Sequence, residues 1–247
     1  MENYQTDFDA NRLLYIDIET ARLEKSFIKL SPHLREAWGA KCRKADKPAY
    51  ADEYFKDAAL YAEFSKIICI SVGYLREGKQ PAVQSYCAEK EKDLLIKFCE
   101  DLSKFIPETP SIAKNKAIGL TGLCGHNIKG FDLPFISKRL FINNIGMPRC
   151  LQMYNMKPWE NPSVDTAELW KFGGYSPSSL SAISAALGTY YPKDSLDGSK
   201  VGDAYWNDND IKSISKYCAD DVFATMHIVA RIKGTDLPGE YKYTIVK

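Results

Sequence analysis

LLYIDIET, residues 13–20, decides the fold. Leu14, Ile16 and Ile18 fall on one side of an extended chain and Tyr15, Asp17 and Glu19 on the other, and the branched apolar content favours a strand. A core strand thus carries two carboxylates on one side. Downstream, residues 22–62 are mixed, charged and aromatic, with helical fragments around SPHLREAWGA and ADEYFKDAALYAEF, and read as an insertion or flanking helical layer. KIICISVGYL (66–75) and PAVQSYCA (81–88) are β-rich and joined by REGKQ, whose Gly78 suits a tight reversal, so they form a hairpin.

In residues 89–106, Leu94, Leu95, Phe98, Leu102, Phe105 and Ile106 make one apolar helical stripe. A Pro-containing loop (107–116) leads to a fourth strand in AIGLTGLCGHN (117–127). The helix FDLPFISKRLFIN (131–143) follows, where Pro134 is tolerated only in the first turn. RCLQMYN and PSVDTAEL read as strand or loop pieces, and SPSSLSAISAALG as a capped helix with Pro177 after Ser176. Residues 209–232 are helical in period without interruption. No repeat and no convincing linker divides the chain, so residues 1–247 read as one α/β domain.

Composition sets the outer limits. With 247 residues, 45% hydrophobic and 26% charged, the chain has an ordinary globular make-up, which excludes disordered, collagen-like and coiled-coil classes. Lys and Arg number 33 against 32 Asp and Glu, a net charge of +1, so no bulk basic field holds nucleic acid and any phosphate binding is local. The apolar runs, such as residues 67–73, are far below a membrane span, so a soluble protein without a membrane partner is expected. The seven cysteines (42, 69, 87, 99, 124, 150 and 218) are odd in number, scattered, and never CxxC, which implies a reducing compartment. The N-terminus has acids and no apolar core of a secretory signal, so the cytoplasm is the expected location.

Three segments carry chemistry. Asp17 and Glu19 point to one side of their strand, and two like charges in apolar company need a counter-charge; a divalent cation is one remedy. The D-x-E pair alone is weak, because about one is expected by chance in such a chain, and an exposed strand end is the plain alternative. Asn127-Ile-Lys-Gly-Phe131-Asp132 lies at a strand-to-helix junction, where Asp132 is either a functional acid or simply a helix cap. Tyr217 and Asp221 share one helical face, while Asp220 points roughly 100° away and reads as solvated. Tyr190 and Asp194 repeat the spacing, but Pro192 breaks any helix between them. The alternative for Tyr217 is a core tyrosine satisfied by Asp221.

In this order, the three segments resemble the motifs of the DEDD 3′-to-5′ exonucleases, tyrosine subclass. Within that group the chain is similar over essentially its full length to stand-alone bacterial exonucleases related to the proofreading domain of family B DNA polymerases. KIICISVGY after the first motif and DGSKVGDAY before the last add to the likeness. The histidine subclass would have His where this chain has Lys216. The resemblance implies a ribonuclease H-like fold with a five-stranded mixed sheet flanked by helices. It implies that Asp17, Glu19, Asp132 and Asp221 bind two divalent metals, with Tyr217 beside the attacking water, and that Asn127 and Phe131 line the substrate side. Phosphodiester hydrolysis by two metals needs such convergent carboxylates. Hard oxygen donors without Cys or His clusters point to Mg²⁺ or Mn²⁺. A tyrosine with its ordinary pKa near 10 is a poor base at neutral pH, so Tyr217 is expected to orient water. Asp17, bracketed by the other acids, is expected to bridge both ions. The expected activity is release of nucleoside monophosphates from single-stranded or frayed DNA 3′ ends. An RNA exonuclease, a non-catalytic nucleic-acid-binding module and a non-nuclease metal phosphohydrolase are the rivals.

The remaining polar residues have plainer readings. Asp165 with Glu168 reads as a capping box, His126 as a hydrogen-bonded structural residue, and Asp197-Gly198-Ser199 as a turn that the resemblance sets near the site. Asp208 and Asp210 read as caps, His33 and His227 lack metal-ligand spacing, and the Lys41 to Lys47 group reads as a solvated face.

Overall fold

The alternation of residues 13–20 does what its pattern requires: Leu14, Ile16 and Ile18 enter one core and Leu13 and Tyr15 another, on the opposite face of a sheet. The computed structural model describes residues 8–75, 79–106, 120–176, 178–191 and 196–246. The reversal expected at Gly78, the loop 107–116, the Pro177 position and the Pro192–Asp194 stretch lie outside the described residues.

The strands are β1 (Leu13–Arg22), β2 (Ser65–Tyr74), β3 (Ala82–Tyr86), β4 (Gly122–Gly125), β5 (Val164–Asp165) and β6 (Lys242–Val246), in the order β5-β4-β1-β2-β3-β6. β1, β2 and β3 pair antiparallel in succession, whereas β4, β5 and β6 join in parallel. The sheet is mixed, as expected, but it has six strands rather than five. Lys242–Val246 adds the extra edge by pairing with β3, a five-residue strand with a weak local signal, none of its residues being fully buried.

The helices α1 (Pro32–Lys44), α2 (Tyr50–Asp57), α3 (Glu91–Phe105), α4 (Asp132–Ile142), α5 (Thr166–Lys171), α6 (Leu180–Leu187), the single turn α7 (Val201–Asp203) and α8 (Ile211–Ile232) surround the sheet. On the first face, α3 contributes Leu94, Leu95, Phe98 and Leu102 and α4 contributes Leu133, Ile136 and Leu140. Arg139 of α4 and Glu91 of α3 are both buried and ion-paired, and Glu91 also accepts from the Ile67 amide. On the second face α8 lays Ala219, Val222, Phe223 and Met226 against Leu13, Tyr15 and Val83. Its approach depends on Gly73: a Cβ there would stand 2.6 Å from Val222 Cγ1 and 2.9 Å from Met226 Sδ. The residue 22–62 layer carries α1 and α2 and closes a core of its own around Trp38, Tyr54 and Phe64. Its Lys47 is tied to Glu53 (2.7 Å) and Asp57 (2.9 Å).

α6 starts at Ser179, whose side chain accepts from Ala182 N, and α8 starts at Asp210, whose side chain accepts from Ser213 N. Among the described residues no helix is long and apolar enough to cross a membrane.

Candidate active site

β1 pairs with β4 only through Leu13, Leu14 and Tyr15, because β4 ends at Gly125 while β1 runs on. Beyond Tyr15 the two parallel strands share no further paired residues, and the acids gather at their carboxyl ends, the side of an α/β sheet where ligand sites fall. The Ile18 amide, left without a strand partner on that side, donates to Asp132 Oδ1 at 3.1 Å. Asp132 is therefore not a capping residue: it is the first residue of α4, buried, and turned onto β1 between Asp17 and Glu19. A register irregularity in β1 falls directly after Glu19, the kind of local bend that re-aims side chains beside sites.

Asp17 and Glu19 project toward α8. Their carboxylates and the Cys218 thiol offer three ligand atoms that all lie within 4.8 Å of one another. Cys218 Sγ stands 3.3 Å from Asp17 Oδ2 and 3.4 Å from Asp17 O. Sequence reasoning missed this residue, although Cys218 and Asp221 have the i, i+3 spacing that puts them on one side of the helix. Asp221 and Tyr217 complete the group, hydrogen-bonded to each other. Gly198 lies beside them, a Cβ there falling 3.4 Å from the Tyr217 hydroxyl, so the 197–199 turn does sit against the site.

The carboxylates raise one another's proton affinity. Burial, then Cys218, then the charges of Asp132, Asp221 and Glu19, hold Asp17 well above the usual carboxylate range; burial, Cys218, Asp221 and Asp132 do the same to Glu19. Burial pushes Asp132 up to about 8 and Asp221 up to about 7. Burial and the charges of Asp221, Glu19 and Asp17 drive the Tyr217 phenol upward as well, so it keeps its proton. The donor set fits a divalent cation: four acids without a basic side chain among the causes of their shifts need a positive charge to ionise together. A stability effect follows. The folded pKa of Asp132 and Asp221 lies above the unfolded value near 4, so the cation-free fold favours the protonated acids. Its melting temperature should fall as pH rises from about 4 through about 8. Mg²⁺ should restore it at pH 8, and a cation-free melting temperature that climbs over this window would contradict the cluster.

Asn127 and Phe131 frame the other wall. Asn127 adopts a left-handed φ of 56° and stays exposed, while Phe131 is half-buried against Phe135 with ring centroids 5.2 Å apart. Asp165 fixes this loop. It caps α5 through Ala167 N, as expected, but its two oxygens also accept from the amides of Asn127 (2.8 Å) and Lys129 (3.1 Å). Glu168 does not complete a capping box; it pairs with Lys129 Nζ at 2.8 Å. His126 bonds Thr166 Oγ1 and the Ser178 carbonyl, each at 3.0 Å, a structural arrangement.

The largest correction concerns Asp220. It does point away from Asp221, but it is buried rather than solvated. Tyr190 (2.9 Å), Tyr241 (2.7 Å) and Lys216 all donate to its Oδ1.

The architecture is that of a ribonuclease H-like α/β domain. The solved structure of the family B DNA polymerase from the hyperthermophilic archaeon Pyrobaculum calidifontis superposes with a TM-score of 0.52 at 16% sequence identity, over 89% of this chain and 24% of the polymerase. The chain thus spans about a quarter of that enzyme's length. Residues 59–237 match the family of predicted 3′-5′ exonucleases related to the exonuclease domain of PolB, and the chain belongs to that family. The matched residues include Asp132, Tyr217 and Asp221, while Asp17 and Glu19 precede them and join through β1. No curated protein sequence matches the chain.

Proposed function

We propose that residues 1–247 form a single metal-dependent 3′-to-5′ exonuclease unit of the DEDD tyrosine subclass, which removes nucleoside monophosphates from the 3′ ends of single-stranded or frayed DNA. The observation that carries this reading is the convergence of Asp17, Glu19, Asp132, Asp221 and Tyr217 from three distant segments into one interacting cluster. In this reading Asp17, Glu19, Asp132 and Asp221 would hold two divalent cations, Mg²⁺ or Mn²⁺. When bound, such ions activate water and stabilise the charge on the leaving oxygen.

The chain's own residues do the rest. The raised pKa of Tyr217 rules it out as a base at neutral pH, so its hydroxyl, fixed by Asp221, orients the attacking water. The Asp165 clamp on the Asn127 and Lys129 amides holds the loop that ends in Asp132. The exposed Asn127 side chain and the half-buried Phe131 ring would face the terminal nucleotide.

The test is a 5′-labelled strand, DNA or RNA, with Mg²⁺, Mn²⁺ or chelator. A ladder shortening from the 3′ end, absent in chelator, is expected; undiminished cutting in chelator, or loss from the 5′ end only, rejects the proposal. Tyr217→Phe keeps ring packing and removes the hydroxyl. Its rate should fall about 10- to 100-fold, the lower part of the range for positioned proton-handling groups, with Mn²⁺ affinity unchanged by titration. An unaltered rate at saturating metal removes Tyr217 from the mechanism.

A further inference from the structure

Among the described residues, seven of the twelve exposed large hydrophobic side chains fall between residues 141 and 175. Several of them border one groove of about 370 Å³, which runs from the site loop along α4 to the residue 147–161 segment. Lys129, Leu133 and Pro134 line its near end, and they flank Asp132. Phe141, 65% exposed, and Tyr154, 73% exposed, line its far part, and Trp159 stands beyond it at 76% exposed. Lone exposed aromatics are ordinary, but several gathered beside one cleft are not.

Cations are interleaved with these rings. Lys138 and Lys157 both line the groove, and Lys157 Nζ sits 5.4 Å from the centroid of the Trp159 ring. Lys138 has only a loose contact with Glu63 at 3.9 Å between two exposed side chains, which leaves it open to a stronger anion. Lys129 is already committed to Glu168. Exposed aromatic rings and ammonium groups side by side along one groove offer stacking faces for bases and charges for phosphates, which suits an unpaired strand better than a protein chain or a duplex.

We propose that this groove is the track for the strand 5′ of the nucleotide at Asp132, with bases stacked on Tyr154, Phe141 and Trp159 and phosphates on Lys138 and Lys157. The inference rests on the exonuclease reading and adds to it a binding surface outside the acid cluster. Stacking on aromatic rings tolerates any base, so the track imposes length rather than sequence preference.

The test uses the full chain with fluorescein-labelled oligothymidylates of 12 and 3 nucleotides in Mg²⁺, in an Asp17→Asn background so that the strand is not consumed. Tyr154→Ala and Trp159→Ala should each weaken the 12-mer about 5- to 100-fold and the 3-mer less than about twofold. The double change Lys138→Gln, Lys157→Gln should lower the salt slope of 12-mer binding by about 1.4, near 0.7 for each lost phosphate contact. Ile28→Ala, equally exposed in the α1/α2 layer, should alter neither oligonucleotide. Equal losses on both lengths, or none, overturn the track. Concentration-dependent self-association that disappears in Trp159→Ala while 12-mer affinity holds would make the face a contact between copies, and overturns it too. If the wild-type chain cuts 3′ ends while these variants bind like their parent, the track alone fails; if it neither binds nor cuts any strand, the exonuclease reading fails with it.

Discussion

Asp17→Asn is expected to abolish strand shortening while making the cation-free protein more stable. The substitution keeps the shape of the side chain and removes one charge from a cluster in which Asp132, Asp221 and Glu19 already raise its proton affinity. If Asp17 is shared between two ions, its loss should lower the rate by at least about 10³-fold, since charge stabilisation by metals supplies several kcal/mol. Relief of repulsion should contribute about 1 kcal/mol at pH 8, read as a rise of about 2–4 °C in melting temperature in chelator. Mg²⁺ should then stabilise the variant less than the wild type. Turnover near that of the wild type would take Asp17 out of the metal set. A lower melting temperature in chelator would mean that its carboxylate supports the fold.

Asp220→Ala should do the reverse, damaging the fold first. The buried carboxylate accepts from Tyr190, Tyr241 and Lys216, and its removal strands two phenols in partly buried positions. Unpaired donors of this kind cost about 1–3 kcal/mol each, so a loss of roughly 2–4 kcal/mol, or about 5–15 °C, is expected. Asp220→Asn keeps an acceptor oxygen and should recover part of the loss. Thermal melts settle the matter: an alanine variant within about 1 °C of wild type would show that the network carries no weight, a change that small being worth under about 0.5 kcal/mol here.

The contrast between Asp220 and Asp221 shows what could be read from residues alone. Helical spacing places the two acids on different faces, and that is correct. What lies opposite each face is set by distant segments. Tyr190 precedes α8 by a stretch without periodicity and Tyr241 follows it by a loop, so neither contact leaves a trace in local spacing. β1, α3 and α8 were legible because each repeats its apolar residues at a fixed period, β2 and β3 because they are β-rich runs, and α4 because Pro134 marks its first turn. β6 was not, since five residues at the sheet edge, none of them fully buried, make too short a run to stand out. Asp165 was half legible: its cap is local, while its hold on the Asn127 loop spans 38 residues. Cys218 was within reach of the same spacing argument that paired Tyr217 with Asp221, but a small buried thiol reads by default as packing.

The position of β1 in the sheet also has a bearing on how the protein is made. Its two acids leave the ribosome before Asp132, and Tyr217 and Asp221 follow later on α8. At about 5–20 residues per second, synthesis separates Asp132 from Asp221 by roughly 4–18 s. Throughout that interval the second face of β1 lacks Val222, Phe223 and Met226, which pack against it when the chain is complete. The acid cluster therefore stays incomplete until α8 has been made and has docked on β1.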